Sequence, residues 1–229
     1  MNGIAAAGLL ERPASRPRPL PLRRHRAVPA SWYAIKRAGD VIASAALLLI
    51  LSPLMLVVAI AVRMTSHGPA LFSQQRVGKD GRRFRMFKFR TMIVGAHLLH
   101  EHVRHLNQCD GPALKICEDP RLHRLGAFLR RSSIDELPQL WNVLRGDMSL
   151  VGPRPALPDE VDRYERPYRE RLRVTPGLTG LWQVSGRANV PFRRWMAMDV
   201  WYARNWSPLV DLALVLRTLP AVLRRDGAW

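Results

Sequence analysis

Residues 41–62 read VIASAALLLILSPLMLVVAIAV, 22 positions without a charge. As one straight helix they would measure roughly 33 Å, enough to cross a hydrocarbon core of about 30 Å. A single transmembrane span is the simplest reading, and two features argue against it. Ser52 and Pro53 sit at the middle, where proline removes a backbone donor and clashes with the preceding turn. Both flanks are also basic: Arg23, Arg24, Arg26, Lys36 and Arg37 come before the run. Arg63, Arg76, Lys79, Arg82, Arg83, Arg85, Lys88 and Arg90 follow it, offset only by Asp80. The positive-inside rule then places both ends in the cytoplasm, which one crossing cannot do. A re-entrant membrane helix over 36–62, broken at Ser52 and Pro53 and returning to the face it entered, satisfies both features. A kinked spanning helix stays open as the alternative, because membrane helices tolerate proline.

Around this segment the 229-residue chain carries 36 Lys+Arg against 18 Asp+Glu, a formal net charge of +18. An apolar content of 48% excludes a wholly disordered chain. Cys109 and Cys117 are too few for a disulfide framework or a Cys-based zinc site, so a reducing compartment is the default. The charge calls for an anionic partner: nucleic acid, a membrane surface or a phosphorylated substrate. No recognition helix or stacking-aromatic module speaks for nucleic acid, which is set aside. Residues 1–35, rich in arginine and proline, read as a disordered arm, and the apolar stretch 4–10 lacks the charged region of a signal peptide. Residues 63–229 form the remaining domain.

Residues 71–77 and 84–89 flank Gly78-Lys79-Asp80-Gly81, a hairpin signal. Strand alternation places Phe84, Met86, Lys88 and Arg90 on one face, which lets Lys88 and Arg90 project together, while the pattern alone favours an ordinary edge strand with solvated charges. In 95–106, His97, Glu101 and His105 share a helix face, but Arg104 stands where a zinc-protease pattern needs its second histidine, and no metal site is assigned there. The chemical centre is Ser133-Ile134-Asp135-Glu136-Leu137-Pro138. Leu137, Leu140, Trp141 and Leu144 mark the apolar stripe of a short helix closed by Gly146, with Ser133 and Glu136 at capping-box spacing. Acids in a first turn simply complement the helix dipole. The neighbouring cations Arg130, Arg131 and Arg154 add a second reading: a carboxylate kept ionised beside a neutralised phosphate, able to act as a nucleophile.

Four motifs follow in order: Lys88-Phe89-Arg90-Thr91-Met92, 133–140 (SIDELPQL), 146–155 (GDMSLVGPRP) and 176–187 (PGLTGLWQVSGR). Together with Lys36, Arg37, Asp40 and the Ser52-Pro53 pair, the series resembles the bacterial sugar transferases, the small monotopic polyprenyl-phosphate phosphoglycosyltransferases of the exopolysaccharide-initiating type. The likeness runs from Lys36 to the C-terminus, and four ordered motifs are far more specific than any one of them. Ile134 stands where the family more usually has leucine, and the arginine-proline arm has no family counterpart.

The resemblance implies a function and its residues. A sugar-1-phosphate, glucose or galactose phosphate, passes from a UDP-sugar to undecaprenyl phosphate with release of UMP. Asp135 is implied as the nucleophile forming a phosphosugar intermediate, Glu136 as its partner, and Lys88, Arg130 and Arg154 as phosphate contacts. Mg²⁺ is implied with Asp135 as a ligand, because a carboxylate attacking a phosphoanion needs charge neutralisation. The expected fold is mainly α with a small β-hairpin: a re-entrant membrane helix, a catalytic domain over 63–229 and interfacial amphipathic helices. The expected place is the cytoplasmic face of the bacterial inner membrane, against anionic lipid, and a homodimer is implied by likeness to relatives. Trp195, Trp201, Tyr202 and Trp206 suit a membrane interface or, equally, plain core packing. Ser207-Pro208 starts a helix with Leu212, Val215, Leu216, Leu219 and Leu223 on one face, suited equally to the interface or to core packing. The competing function is a non-catalytic, membrane-tethered basic adaptor for anionic lipid or nucleic acid.

Overall fold

The computed structural model describes residues 29–99, 101–114, 116–186 and 190–224, so the greater part of the expected arm lies outside the described residues. Helix α1, Ala30–Thr65, is a single 36-residue helix, about 54 Å long at 1.5 Å per residue. It starts at Ala30 and not at residue 36, because the extra turns make contacts: the Tyr33 ring stacks on Trp206 with centroids 4.7 Å apart. Pro53 lies inside the helix, so Ser52 and Pro53 interrupt one backbone hydrogen bond without dividing α1 into two helices. Proline leaves the Leu49 carbonyl, four residues back, without its helical donor. Ser52 Oγ donates to that same oxygen at 2.8 Å. The serine repairs the ladder that its neighbour opens.

Both ends of α1 dock on the globular body. Near the start, Lys36 Nζ donates to the Val151 carbonyl at 3.0 Å and pairs with Asp211 at 2.5 Å. Arg37 donates to the Val143 and Leu144 carbonyls at 2.6 and 2.7 Å, and Asp40 accepts from the Leu150 amide at 2.9 Å. Near the end, Val58 and Val62 pack with Phe89 and Leu129. Between these anchors Leu49, Ile50, Leu54, Leu56 and Val57 are exposed. Among the described residues α1 alone is long and apolar enough to cross a membrane.

Strands β1 (Leu71–Val77) and β2 (Arg83–Phe89) form the expected antiparallel hairpin, in register from Leu71 opposite Phe89 to Val77 opposite Arg83. Asp80 and Gly81 turn the chain at φ of 54° and 80°, a region where glycine carries no steric cost. Lys88 and Arg90 part company. The Arg90 guanidinium donates to the carbonyls of Ser66, His67 and Gly68, supplying donors to the chain leaving α1. Residues 95–106 are a run of turns rather than a helical face, apart from a short 3-10 helix at Arg104–Leu106; His100 lies outside the described residues.

The rest is mainly helical: α2 (Arg124–Arg131), α3 (Gln139–Arg145), α4 (Pro158–Asp162), α5 (Phe192–Asn205) and α6 (Pro208–Arg224). Strands β3 (Ser149–Val151) and β4 (Gly177–Thr179) pair in parallel. Three-residue strands are too short to show an alternating pattern in the sequence. Tyr202 and Trp206 are core residues beside Val151 and Leu214, which decides for core packing over the membrane interface at these two positions. Trp201 stays substantially exposed. Helix α6 is capped as expected, with Ser207 Oγ accepting from the Val210 amide at 3.3 Å. Leu214 points inward, while Leu212, Val215, Leu216 and Leu219 are exposed, so that face is not core packing.

Candidate active site

Three elements converge on the acidic pair. Asp135 and Glu136 occupy a 3-10 helix, Ile134–Glu136, between α2 and α3. Ser133 before it has φ of 59°, a left-handed conformation that costs a non-glycine residue about 1 kcal/mol. Ser133 makes no side-chain cap, and Glu136 points to cations instead, so the capping box is replaced by a sharp turn into the site. The buried side of α3 is Gln139, Leu140, Asn142 and Val143; Trp141, placed on the apolar stripe by spacing, is 49% exposed. Asn142 uses its burial to bind β2, accepting from the Phe87 amide at 3.0 Å and donating to the Arg85 carbonyl at 2.7 Å. That pair of bonds fixes the strand from which Lys88 reaches the acids.

Lys88 Nζ lies 2.7 Å from Glu136 Oε1 and 3.5 Å from Asp135 Oδ2. Arg154, in the loop after β3, donates to the same Glu136 oxygen at 2.9 Å. Arg130 makes no direct bond to either acid among the described residues. Its Nε donates to Thr91 Oγ1 at 3.1 Å, and its charge reaches Asp135 through space. Close packing sets that position: a Cβ at Gly126 would fall 2.0 Å from the Thr91 carbonyl oxygen, so only glycine lets α2 approach the end of β2.

The two acids differ. Burial raises Asp135, and the neighbouring Glu136 charge adds to the rise, against the opposing pull of Lys88, Arg130 and Arg154. Burial would raise Glu136 too, but Arg154 and Lys88 outweigh it and hold it well below the usual carboxylate range. The expectation that surrounding cations keep the carboxylates ionised is therefore met by Glu136, while burial opposes it at Asp135. Arg76, which the sequence reading left unassigned, is pushed down to about 10 by burial and by Arg154, and donates to the Pro155 carbonyl at 3.2 Å. Two carboxylates thus face Lys88, Arg130, Arg154 and Arg76, a net positive environment suited to a diphosphate.

Among the described residues no three His, Cys, Asp or Glu side chains converge into a metal cage. The adjacent carboxylates Asp135 and Glu136 fit a different habit, that of Mg²⁺ held by one or two carboxylates together with substrate phosphates. Sequence reading also missed Thr91, Arg171 and Asp199. Thr91 lies inside a recognised motif, whereas Arg171 and Asp199 are 28 positions apart and share no local pattern.

The chain is similar to several known proteins. The chain is 43% identical over 202 residues to the undecaprenyl-phosphate galactose phosphotransferase of Salmonella typhimurium, covering 85% of this chain and 42% of that protein. It is 44% identical over 204 residues to the UDP-glucose:undecaprenyl-phosphate glucose-1-phosphate transferase of Caulobacter vibrioides, covering 85% and 72%. With the exopolysaccharide production protein ExoY of Rhizobium meliloti it shares 42% identity over 200 residues, covering 85% and 88%. The chain spans about two-fifths of the length of several of its longer relatives, at 42% for the galactose enzyme. A model of the bacterial sugar transferases matches residues 31–225, a stretch that includes α1, the hairpin, the acidic pair and α6, and the chain belongs to that family.

Proposed function

We propose that the protein transfers a hexose-1-phosphate, glucose or galactose phosphate, from a UDP-sugar to undecaprenyl phosphate. The observation that carries the reading is the buried Asp135 beside Glu136, which Lys88 and Arg154 bind at 2.7 and 2.9 Å, in a body that docks an exposed apolar helix. Asp135 attacks the sugar-linked phosphorus. An Oδ–P bond forms, the bridging P–O bond breaks, and the electron pair leaves with UMP. A phosphate oxygen of undecaprenyl phosphate then attacks the same phosphorus and expels the aspartate. Lys88 and Arg154 orient Glu136 and offset charge on the phosphoryl oxygens; Arg130, tethered by Thr91, supplies positive potential beside Asp135. Asp135, with Glu136 adjacent, would hold Mg²⁺, which supplies charge neutralisation at the phosphates when bound.

The re-entrant course of α1 belongs to the same proposal. It is supported by basic flanks on both sides, anchors at both ends on the same body, and an exposed apolar middle around Ser52 and Pro53. Such a helix keeps the site at the lipid headgroups of the cytoplasmic leaflet, where the phosphate of the lipid acceptor lies. The exposed leucines of α6 suit the same surface. The test is to incubate purified protein with radiolabelled UDP-glucose or UDP-galactose, Mg²⁺ and undecaprenyl phosphate, and to measure UMP. Asp135→Asn is expected to abolish release while the protein stays membrane-bound. Turnover retained in that variant rules out the aspartyl intermediate, and silence of the wild type with every UDP-hexose favours a non-catalytic membrane adaptor.

A further inference from the structure

We infer that Arg171 and Asp199 form a buried strut that positions Arg154, an inference that rests on the proposed role of Arg154 at the phosphates. Arg171 lies in the 3-10 segment Arg166–Arg173 and Asp199 in α5; they are 2% and 1% exposed. Arg171 Nε and Nη2 donate to Asp199 Oδ2 at 3.0 and 2.7 Å, and Nη1 donates to the Tyr164 hydroxyl at 3.0 Å. Trp195 Nε1 adds a third donor to Asp199 Oδ2 at 2.9 Å. Nη2 also donates to the Arg154 carbonyl at 2.6 Å. That last bond leaves the buried cluster and reaches the loop bearing an active-site side chain.

The loop needs such support. Pro153 and Pro155 have no amide hydrogen, so Pro153-Arg154-Pro155 offers only one backbone donor through which it can be held. It is held through its acceptors. Gly177 N donates to the Pro153 carbonyl at 2.9 Å, Arg171 to that of Arg154, Arg76 to that of Pro155 at 3.2 Å, and Val77 N to that of Ala156 at 2.9 Å. Four consecutive carbonyls are fixed from three directions. The Arg154 side chain leaves this clamped backbone to meet Glu136 at 2.9 Å.

Stability alone does not account for the strut. Burying an ion pair commonly gains no more than apolar packing of the same volume would. An apolar replacement could fill the space but could not donate to the Arg154 carbonyl. Arg171 is therefore a positioning residue for the transfer and touches neither reacting group. Displacing Arg154 by a fraction of an ångström would spare substrate binding made elsewhere and slow the chemical step.

The test uses the full chain in detergent or nanodiscs, with UMP release giving kcat and KM and hydrogen–deuterium exchange reporting on 152–156. Arg171→Lys keeps the charge but loses the planar fork. It is expected to lower kcat about 10- to 100-fold, to leave the KM for UDP-hexose within about threefold, and to speed exchange in the loop. Tyr164→Phe, which removes only one acceptor, gives a smaller loss in the same direction and serves if Arg171→Lys fails to fold. A double-mutant cycle separates positioning from general damage. On an Arg154→Ala background, Arg171→Lys should lower kcat no further. Wild-type kcat in Arg171→Lys, or losses that multiply with Arg154→Ala, overturns the inference. If the wild type releases no UMP, the proposed reaction fails and exchange decides the strut by itself: an unchanged rate over 152–156 overturns it, and faster exchange upholds it.

Discussion

Asp135 and Glu136 are adjacent, yet their protonation shifts in opposite directions, because Glu136 takes the close bonds of Lys88 and Arg154 while Asp135 takes the deeper burial. The consequences for stability are opposite in sign. Glu136 is depressed in the folded chain, so its stabilisation is present above its unfolded value, about 4.3, and is lost as pH falls through the lower folded value. Asp135 is raised, so the folded chain binds its proton more tightly. Stability therefore declines as pH rises from about 3.9 through the folded value, and the ionised Asp135 is a cost at neutral pH. Asp135→Asn should accordingly raise Tm at pH 7 to 8 by about 2–4 °C while abolishing UMP release. Glu136→Gln should do the reverse, lowering stability by about 2 kcal/mol because Lys88 and Arg154 lose their shared countercharge. Thermal unfolding of the two variants from pH 5 to 8 checks both signs. A lower Tm in Asp135→Asn would mean that cations, not burial, govern that carboxylate.

The two helices with exposed apolar residues, α1 and α6, show them differently. In α1 the exposed residues cluster between two docked ends, and Ser52 mends the ladder at Pro53. With Cys109 and Cys117 replaced, single cysteines at the exposed positions Ala34 and His67 should both react with an impermeant maleimide from the cytoplasmic side only. Pro53→Ala returns an amide donor to Leu49 and favours a straight helix, so part of the His67 signal should move to the opposite side. Labelling of the two cysteines from opposite sides in the parent protein would make α1 a span. In α6 the exposed leucines lie beside a half-buried row whose one buried member is Leu214. A spin label at Leu216 should collide more with oxygen dissolved in the bilayer than with a water-soluble nickel complex, and one at the exposed Glu165 should show the reverse. Equal water access at both positions would leave that face open to a protein partner instead.

Across the whole molecule, what the sequence made legible was local. Hairpin, acidic turn and the Ser207 cap each arise within a few residues, where turn chemistry and spacing act directly. What stayed hidden is joined across long separations: Arg90 to the chain leaving α1, Lys36 to Val151, and Arg171 to the Arg154 carbonyl. The aromatics show the same limit, since Tyr202 and Trp206 carry amphipathic rings that suit a headgroup layer, but tertiary packing buries them. The net charge of +18 can now be divided. Lys88, Arg130 and Arg154 belong to the acidic pair, and Lys36, Arg37, Arg76 and Arg90 are spent on carbonyls and Asp211. Residues 1–28 contribute six arginines outside the described part, with no assigned task in the site. Near an anionic leaflet each basic residue contributes about 1 kcal/mol, screened over about 8 Å at physiological salt. Deleting 1–28 should therefore slow transfer of detergent-diluted protein into phosphatidylglycerol liposomes at low salt by about tenfold or more. The difference should vanish at about 1 M salt, where screening falls to about 3 Å, and UMP release in detergent should be unchanged. A slower transfer into purely zwitterionic liposomes, or one that persists at high salt, would mean that the arm acts by something other than charge.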